Sequence, residues 1–276
     1  MNPRSLIARV SPLRRQVACG LVAGALVLAV PSLAAAGAGA APATNANLKT
    51  TVSSIKSTVS SIKASVGTID VSGIAQKCEE AITSRQTQID NLNNHMAQAQ
   101  FLDPSHKSEL TGDLSGAASG LTSLNGQIGS ATTLSALAPL CLDIVTNFRI
   151  WVLQTPRVDL TIGADAENAV IAKLQGIEPK LESAIKAAQS AGKDVANAPA
   201  LYSDLTAKVS DASSKASGAA GQVLPLTVAE YNAGTAKPVL QSTYQNLVLA
   251  HGDLISARQD AVQIVQILKG LVGATS

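Results

Sequence analysis

Two cysteines carry the clearest chemistry in this sequence. Cys19 lies in an apolar segment near the N-terminus, whereas Cys78 and Cys141 lie in the body of the chain. In a chain that leaves the cytoplasm, two such thiols are typical of a disulfide bond, and two buried free thiols or a bond between chains are the alternatives. We expect the intramolecular bond Cys78–Cys141. A metal site is disfavoured, because the two cysteines are 63 positions apart and have no Cys-x-x-Cys motif or paired histidine nearby.

The segment 147–167 concentrates charged residues within an apolar stretch. It contains the chain's only tryptophan, Trp151, together with two arginines, two aspartates and a glutamate. Arg149 lies in the apolar part, and a buried guanidinium needs a partner. We expect a structural ion pair between Arg149 and either Asp159 or Asp165. A catalytic pair is less well supported, because no nucleophile or metal-binding group accompanies these residues.

The same segment carries a motif made of Phe148, Arg149, Ile150 and Trp151, followed by Pro156 and Asp159. It resembles an aromatic-Arg-Val/Ile-Tyr/Trp … Pro … Asp segment at the same place in a group of exported, all-helical bacterial proteins. The resemblance extends over residues 75–270, and the group has no assigned activity. It implies a shared helical fold and no functional residues that could be transferred to this chain.

Motifs of the common enzyme classes are absent from the sequence. The three histidines, His95, His106 and His251, stand apart from one another and form no His-Glu-x-x-His motif. The chain has no Gly-x-Ser-x-Gly nucleophile elbow and no Walker loop. The sequence therefore predicts a protein that is not an enzyme and that holds no cofactor or metal ion.

Residues 1–40 have the pattern of an export signal peptide. Basic residues precede an uncharged run from Val17 to Val30, and Ala34-Ala35-Ala36 then provides a small-x-small cleavage site. A membrane anchor is the alternative, but a spanning helix needs about 20 apolar residues and this run has 14. We therefore expect a secreted or extracytoplasmic protein, with cell-wall association as one option. We expect no membrane span in the mature chain.

Removal of the signal peptide reverses the sign of the net charge. The first 36 residues hold four arginines and no acid, so the 21 basic and 19 acidic residues of the chain become 17 and 19, a net charge of −2. A nucleic-acid-binding protein needs a basic excess, and so does a protein that binds an anionic membrane surface. Neither partner is expected for the mature chain.

The composition predicts an all-α fold. Aromatic residues make up only 2% of the chain, and apolar residues recur at helical spacing of three and four positions. We expect an elongated up-down bundle of about five to six helices over residues 73–272, following an N-terminal coiled-coil-like helix. The most apolar predicted helix spans 134–153, and Pro156 is expected to kink or interrupt it.

Segment 41–72 carries a heptad repeat. Its apolar positions alternate spacings of four and three: Leu48, Val52, Ile55, Val59, Ile62, Val66 and Ile69. This is a coiled-coil pattern, although three heptads of Ser, Thr, Val and Ile form only a marginal helix alone. We interpret the segment as a stalk or a loosely attached helix, through which the chain could self-associate.

Two functions from different classes fit these observations. The first is an exported, non-enzymatic module of the cell envelope or extracellular space that binds a protein, a cell-surface component or itself. The second is a ligand-binding bundle with a cavity near Trp151 and the Pro156 kink. A dry apolar cavity would favour the ligand-binding bundle, whereas a closed core with an exposed apolar stripe would favour the interaction module.

Overall fold

The structure is a computed structural model that describes residues 53–54, 56–57 and 70–273. The chain divides into two units, Met1–Val66 and Gly67–Ser276. In the first unit the four described residues are helical. The predicted signal peptide and nearly all of the heptad segment lie outside the described residues, so both remain predictions.

The described residues of the second unit, 70–273, are mostly helical. From residue 71 onwards it contains the following α-helices: α1 (Val71–Gln98), α2 (Pro104–Ser130), α3 (Leu134–Thr146), α4 (Thr155–Ser190), α5 (Ala198–Ala216), α6 (Ala219–Val223), α7 (Val228–Ala233) and α8 (Ala236–Gly273). A π-helical turn, Ile150–Gln154, connects α3 to α4. Residues 70–273 contain no β-strand. Six of these helices have 13 residues or more, which confirms the prediction of an all-α bundle of about five to six helices.

Helices α1, α2 and α3 pack together as one group. Asp103 begins α2 by accepting hydrogen bonds from the backbone of the first turn, and Pro104 occupies the first helical position. Gln86 of α1 donates a hydrogen bond to Thr122 of α2 at 3.2 Å. Large side chains of both helices are fully buried between them, and Leu114 and Leu121 of α2 have no exposed surface.

The long helices α4, α5 and α8 form a second group. Lys215 and Lys208 of α5 pair with Asp253 and Asp260 of α8 at 2.7 and 3.0 Å, in the order that makes the two helices antiparallel. Asp260 is buried, and hydrogen bonds to Asp204 and Asp260 raise the pKa of Lys208. The N-terminal half of α4 also contacts α1 and α2, so α4 connects the two groups.

The connection between α3 and α4 departs from the prediction. The helix predicted over 134–153 ends at Thr146, and Arg149 then adopts a left-handed conformation with φ 45°. Pro156 does not kink a continuing helix, because it lies in the first turn of α4, where a missing N–H costs no hydrogen bond. Because of this break, the side chains between Phe148 and Arg157 do not have the directions that one continuous helix would give them.

One stretch within Leu134–Ser190 is long and apolar enough to cross a bilayer. Core helices of globular bundles meet the same criterion of length and composition. The absence of a membrane span from the mature chain therefore stays a prediction.

Gly120 of α2 allows the Phe148 ring to pack against the helix. A Cβ atom at position 120 would lie 2.7 Å from Cε1 of Phe148, whereas a Cβ atom at Gly126 would meet open space. Alanine at Gly126 should stabilise the helix by up to about 1 kcal/mol. We expect the Gly120→Ala variant to be about 1–2 kcal/mol less stable than the Gly126→Ala variant, because the ring must shift. Urea unfolding of both variants measures this difference, and equal stabilities would show that the ring moves freely.

Candidate functional site

Helix α8 exposes a row of apolar side chains, which we call the α8 stripe. The stripe consists of Tyr244, Val248, Ile255, Val262 and Val265, with His251 and Arg258 at the intervening positions. Its spacing alternates four and three, and its apolar members are 37–52% exposed. Leu249 lies beside it and is 56% exposed. Exposed apolar side chains gathered on one helix are typical of a contact surface.

The exposure of the stripe follows from a second apolar row on the same helix. The buried row contains Leu240, Leu247, Ala250, Leu254, Ala257, Ala261 and Ile264, which pack against α4 and α5. Residues of the stripe come one position after residues of the buried row, which turns them by about 100° around the helix axis. The fold therefore covers one row and leaves the other on its surface.

Two polar side chains, His251 and Arg258, interrupt the stripe at its centre. His251 Nδ1 lies 2.7 Å from Oε1 of Glu167 on α4, so this histidine has a carboxylate partner, as expected for a half-buried polar group. Arg258 is exposed, and the described part of the chain provides no hydrogen-bond or ion-pair partner for it. The middle of the apolar row thus presents a free cation one helical turn from Ile255.

A second feature is a polar cleft built around Arg157, which is only 3% exposed. Its Nη1 donates to Gln154 Oε1 at 2.8 Å, and its Nη2 donates to Asp113 Oδ2 at 2.7 Å. Nε donates to the carbonyl oxygen of Val223 at 3.2 Å, and Nη2 also donates to that of Leu224. The guanidinium therefore connects α2, the π-helical turn and the C-terminal end of α6.

The cleft has a volume of about 480 Å³ and a mixed lining. Its acidic wall is one face of α2, and its apolar wall comes from the chain between α6 and α7: the lining residues are Glu109, Asp113, Gly116, Ala117, Asn147, Phe148, Gln154, Arg157, Leu224, Pro225, Leu226, Thr227 and Val228. A capping box begins α7, with Thr227 and Glu230 bonded to each other reciprocally. Hydrogen bonds from the Thr227 backbone and hydroxyl lower the pKa of Glu230.

The predicted ion pair of Arg149 with Asp159 or Asp165 is wrong. Because the helix breaks at Arg149, its Nε donates to Asn232 Oδ1 at 2.7 Å and its guanidinium lies 5.5 Å from the centre of the Tyr231 ring. Each aspartate pairs with a histidine instead: Asp159 lies 3.3 Å from His95 and Asp165 lies 3.0 Å from His106.

The structure contains the predicted disulfide. Cys78 of α1 and Cys141 of α3 are bonded, and their Cα atoms are 5.5 Å apart. Both side chains pack against the hydrophobic core, as the apolar faces of their helices predicted. The bond fixes α3 against α1 and therefore supports the segment from which Phe148 projects.

Trp151 does not line the cleft and is 46% exposed. The cleft is polar and its aromatic wall is Phe148, so the apolar cavity beside Trp151 stays a prediction. Within the described residues, no group of three or more His, Cys, Asp or Glu side chains is placed to hold a metal ion.

Sequence reasoning missed the Arg157 network, although a signal for it exists. Gln154, Arg157, Thr161 and Asp165 recur at helical spacing, and all four are buried on one side of the π-helical turn and α4. A polar row at such spacing within an apolar segment indicates a buried network. No known protein family, curated protein or solved structure matches this chain.

Proposed function

We propose that the chain is an exported, non-enzymatic interaction module, and that its contact surface is the α8 stripe. The observation that carries this proposal is the exposed apolar row at heptad spacing on a helix whose other apolar row is already buried. Isolated exposed apolar residues need no explanation, but several of them on one helix face cost solubility unless a partner covers them. The sequence and the described structure offer no catalytic constellation that would compete with this role.

We propose a second copy of the chain as the partner. In an antiparallel pair of α8 helices, Val248 of one copy lies opposite Val265 of the other, and Ile255 lies opposite Arg258. The same register places His251 opposite Val262 and Tyr244 opposite Lys269. The stripe alternates between the two apolar positions of a heptad. In this register each position of one type faces a position of the other type, as knobs-into-holes packing requires. The contact runs from residue 244 to residue 269, about 37 Å at 1.5 Å per residue.

Charge complementarity supports the same partner. Arg258 is without a partner in the described residues, and its aliphatic stem can cover Ile255 of the second copy while the guanidinium stays at the edge of the contact. Glu167 of that copy sits beside its own His251, one helical turn from Ile255. In this register each Arg258 therefore lies near the Glu167–His251 pair of the second copy, and we expect the guanidinium to share that carboxylate. The apolar contacts provide the affinity, and the charges select the antiparallel register.

Replacing Ile255 by lysine is expected to abolish the dimer. The symmetric pair loses two apolar contacts and must desolvate two ammonium groups, so we expect the dissociation constant to rise about 100-fold or more. Sedimentation velocity of residues 41–276 at several concentrations measures this change. The variant should keep the helical content of the wild type, because position 255 is exposed in the monomer.

Leu142→Lys is the matched control. Leu142 is 61% exposed on α3 and lies outside the stripe, so this variant introduces the same charge without touching the proposed contact. The control should dimerise like the wild type. A wild-type chain that stays monomeric at about 100 μM, a concentration at which a weak dimer would form, would contradict the proposal. A dimer that survives Ile255→Lys would assign the contact to another surface, such as the predicted heptads at 48–69.

A further inference from the structure

We propose that the polar cleft around Arg157 binds a small organic cation, a primary ammonium group next to a hydrogen-bond acceptor. This inference is independent of the α8 stripe, which lies elsewhere on the fold. A cleft of about 480 Å³ has the size of a typical small-molecule site. It is large enough for an amino-acid amide or the first residues of a peptide.

The charges of the cleft select a cation. Arg157 is neutralised by Asp113, whose Oδ2 accepts from Nη2 at 2.7 Å. Glu109 precedes Asp113 by one turn of α2 and lines the same cleft, and within the described residues it has no hydrogen-bond or ion-pair partner. Residues four apart on a helix are neighbours on its surface. Together they give the cleft one uncompensated negative charge and two carboxylates that face a common space.

Gln154 supplies the second, independent observation. The residue is 93% buried, since only 7% of its surface is exposed, and its Oε1 is held by Arg157 at 2.8 Å. Its Nε2 donates to no group in the described structure, yet it is not among the side-chain atoms that are completely shielded from solvent. Gln154 is one of the residues that line the cleft. A side-chain donor that has no protein partner at such a site is available to a ligand acceptor.

The guanidinium of Arg157 fixes the spacing of these groups. It holds the carboxylate of Asp113 on one terminal nitrogen and the amide oxygen of Gln154 on the other, so both side chains are anchored to one planar group. A ligand that carries an ammonium group and a nearby carbonyl oxygen can satisfy both. Phe148, Leu226 and Val228 line the remaining wall and would cover its apolar part.

Titration of the mature chain with L-leucinamide tests the proposal. Nuclear magnetic resonance detects binding through chemical-shift changes. We expect these changes to be confined to the backbone amides of residues that line the cleft. N-acetyl-L-leucinamide lacks the charge and should bind at least about tenfold more weakly, a loss of about 1.4 kcal/mol. 3-Methylbutylamine keeps the charge but lacks the carbonyl oxygen, and it should also bind more weakly if Gln154 donates to the ligand. The tripeptide Leu-Gly-Gly is compared with L-leucinamide. If the tripeptide binds more tightly, the cleft prefers a peptide amino terminus; if L-leucinamide does, the cleft prefers a small free amine.

Glu109→Gln is the decisive variant, because Glu109 is exposed and holds no part of the fold together. We expect it to weaken leucinamide binding about fivefold, the effect of one partly solvated ion pair. Asp211→Asn, which removes an exposed acid from α5, is the control and should leave the affinity unchanged. Shift changes absent at about 10 mM ligand, equal binding of the acetylated probe, or equal affinity of the Glu109→Gln variant would each overturn the proposal.

Discussion

Replacing Arg157 by methionine is expected to lower the free energy of unfolding by about 3–5 kcal/mol. The guanidinium is the hydrogen-bond donor for the carbonyl oxygens of Val223 and Leu224 and for Oε1 of the buried Gln154. Each buried acceptor left without a donor costs about 1–3 kcal/mol. Methionine retains part of the apolar stem but provides no donor, and the half-exposed Asp113 can return to solvent, so the three acceptors dominate the loss.

Arg149→Met provides the control for this prediction. Arg149 is half-buried, donates to the exposed Asn232 and lies over the Tyr231 ring, so its loss should cost about 1 kcal/mol or less. Urea unfolding monitored by circular dichroism compares the two variants directly. A larger loss of stability for Arg149→Met than for Arg157→Met would contradict the observed network. It would mean that Arg149 is the buried, paired arginine, as the sequence predicted.

The contrast between these two arginines shows where sequence reasoning reached its limit. The segment, its charge and the need for a buried partner could all be predicted, because they depend on composition and helical spacing. Which arginine is buried could not be predicted, because the predicted ion pair of Arg149 assumed one continuous helix through that residue. A left-handed residue followed by a π-helical turn rotates the following side chains, and neither Ile150 nor Trp151 carries a signal for such a break.

Features that depend on local chemistry can be predicted from sequence more directly. The N-terminal cap Asp103 with Pro104 and the capping box of Thr227 and Glu230 need only a few neighbouring residues, and both are present. The pairing of Cys78 with Cys141 required only that two apolar helix faces meet. Each of the three depends on a hydrogen bond or a covalent bond that has few possible partners, so the sequence leaves few alternative pairings.

The α8 stripe lies between these cases. Both of its apolar rows are visible in the sequence. Alternating spacings of four and three connect residues of either row, however, so the pattern alone would place Leu240 and Tyr244 on the same helix face. Only the packing of α4 and α5 decides that Leu240 is buried and Tyr244 is exposed. A helix with a wide apolar face therefore predicts that contacts exist on two sides, and the fold determines which side is left for a partner.

Reduction of the Cys78–Cys141 bond is expected to lower the free energy of unfolding by about 4 kcal/mol, because the bond closes a loop of 63 residues that contains all of α2. Urea unfolding with and without a thiol reductant measures the loss. The double variant Cys78→Ser/Cys141→Ser should be as unstable as the reduced wild type and insensitive to the reductant. Equal stability of the wild type in both conditions would mean that the reduced ends of α1 and α3 remain in place without the bond.

The same pair of samples separates an intramolecular bond from one between chains. An intramolecular bond predicts that the non-reduced, denatured protein migrates as a single chain and has no free thiol at either position. It also predicts that the α8 dimer persists in reductant, because α3 does not take part in that contact. A covalent dimer that disappears with reductant, together with the loss of the native dimer, would instead place Cys78 and Cys141 at the interface. The cost of reduction would then depend on protein concentration, since two chains rather than one loop would be released.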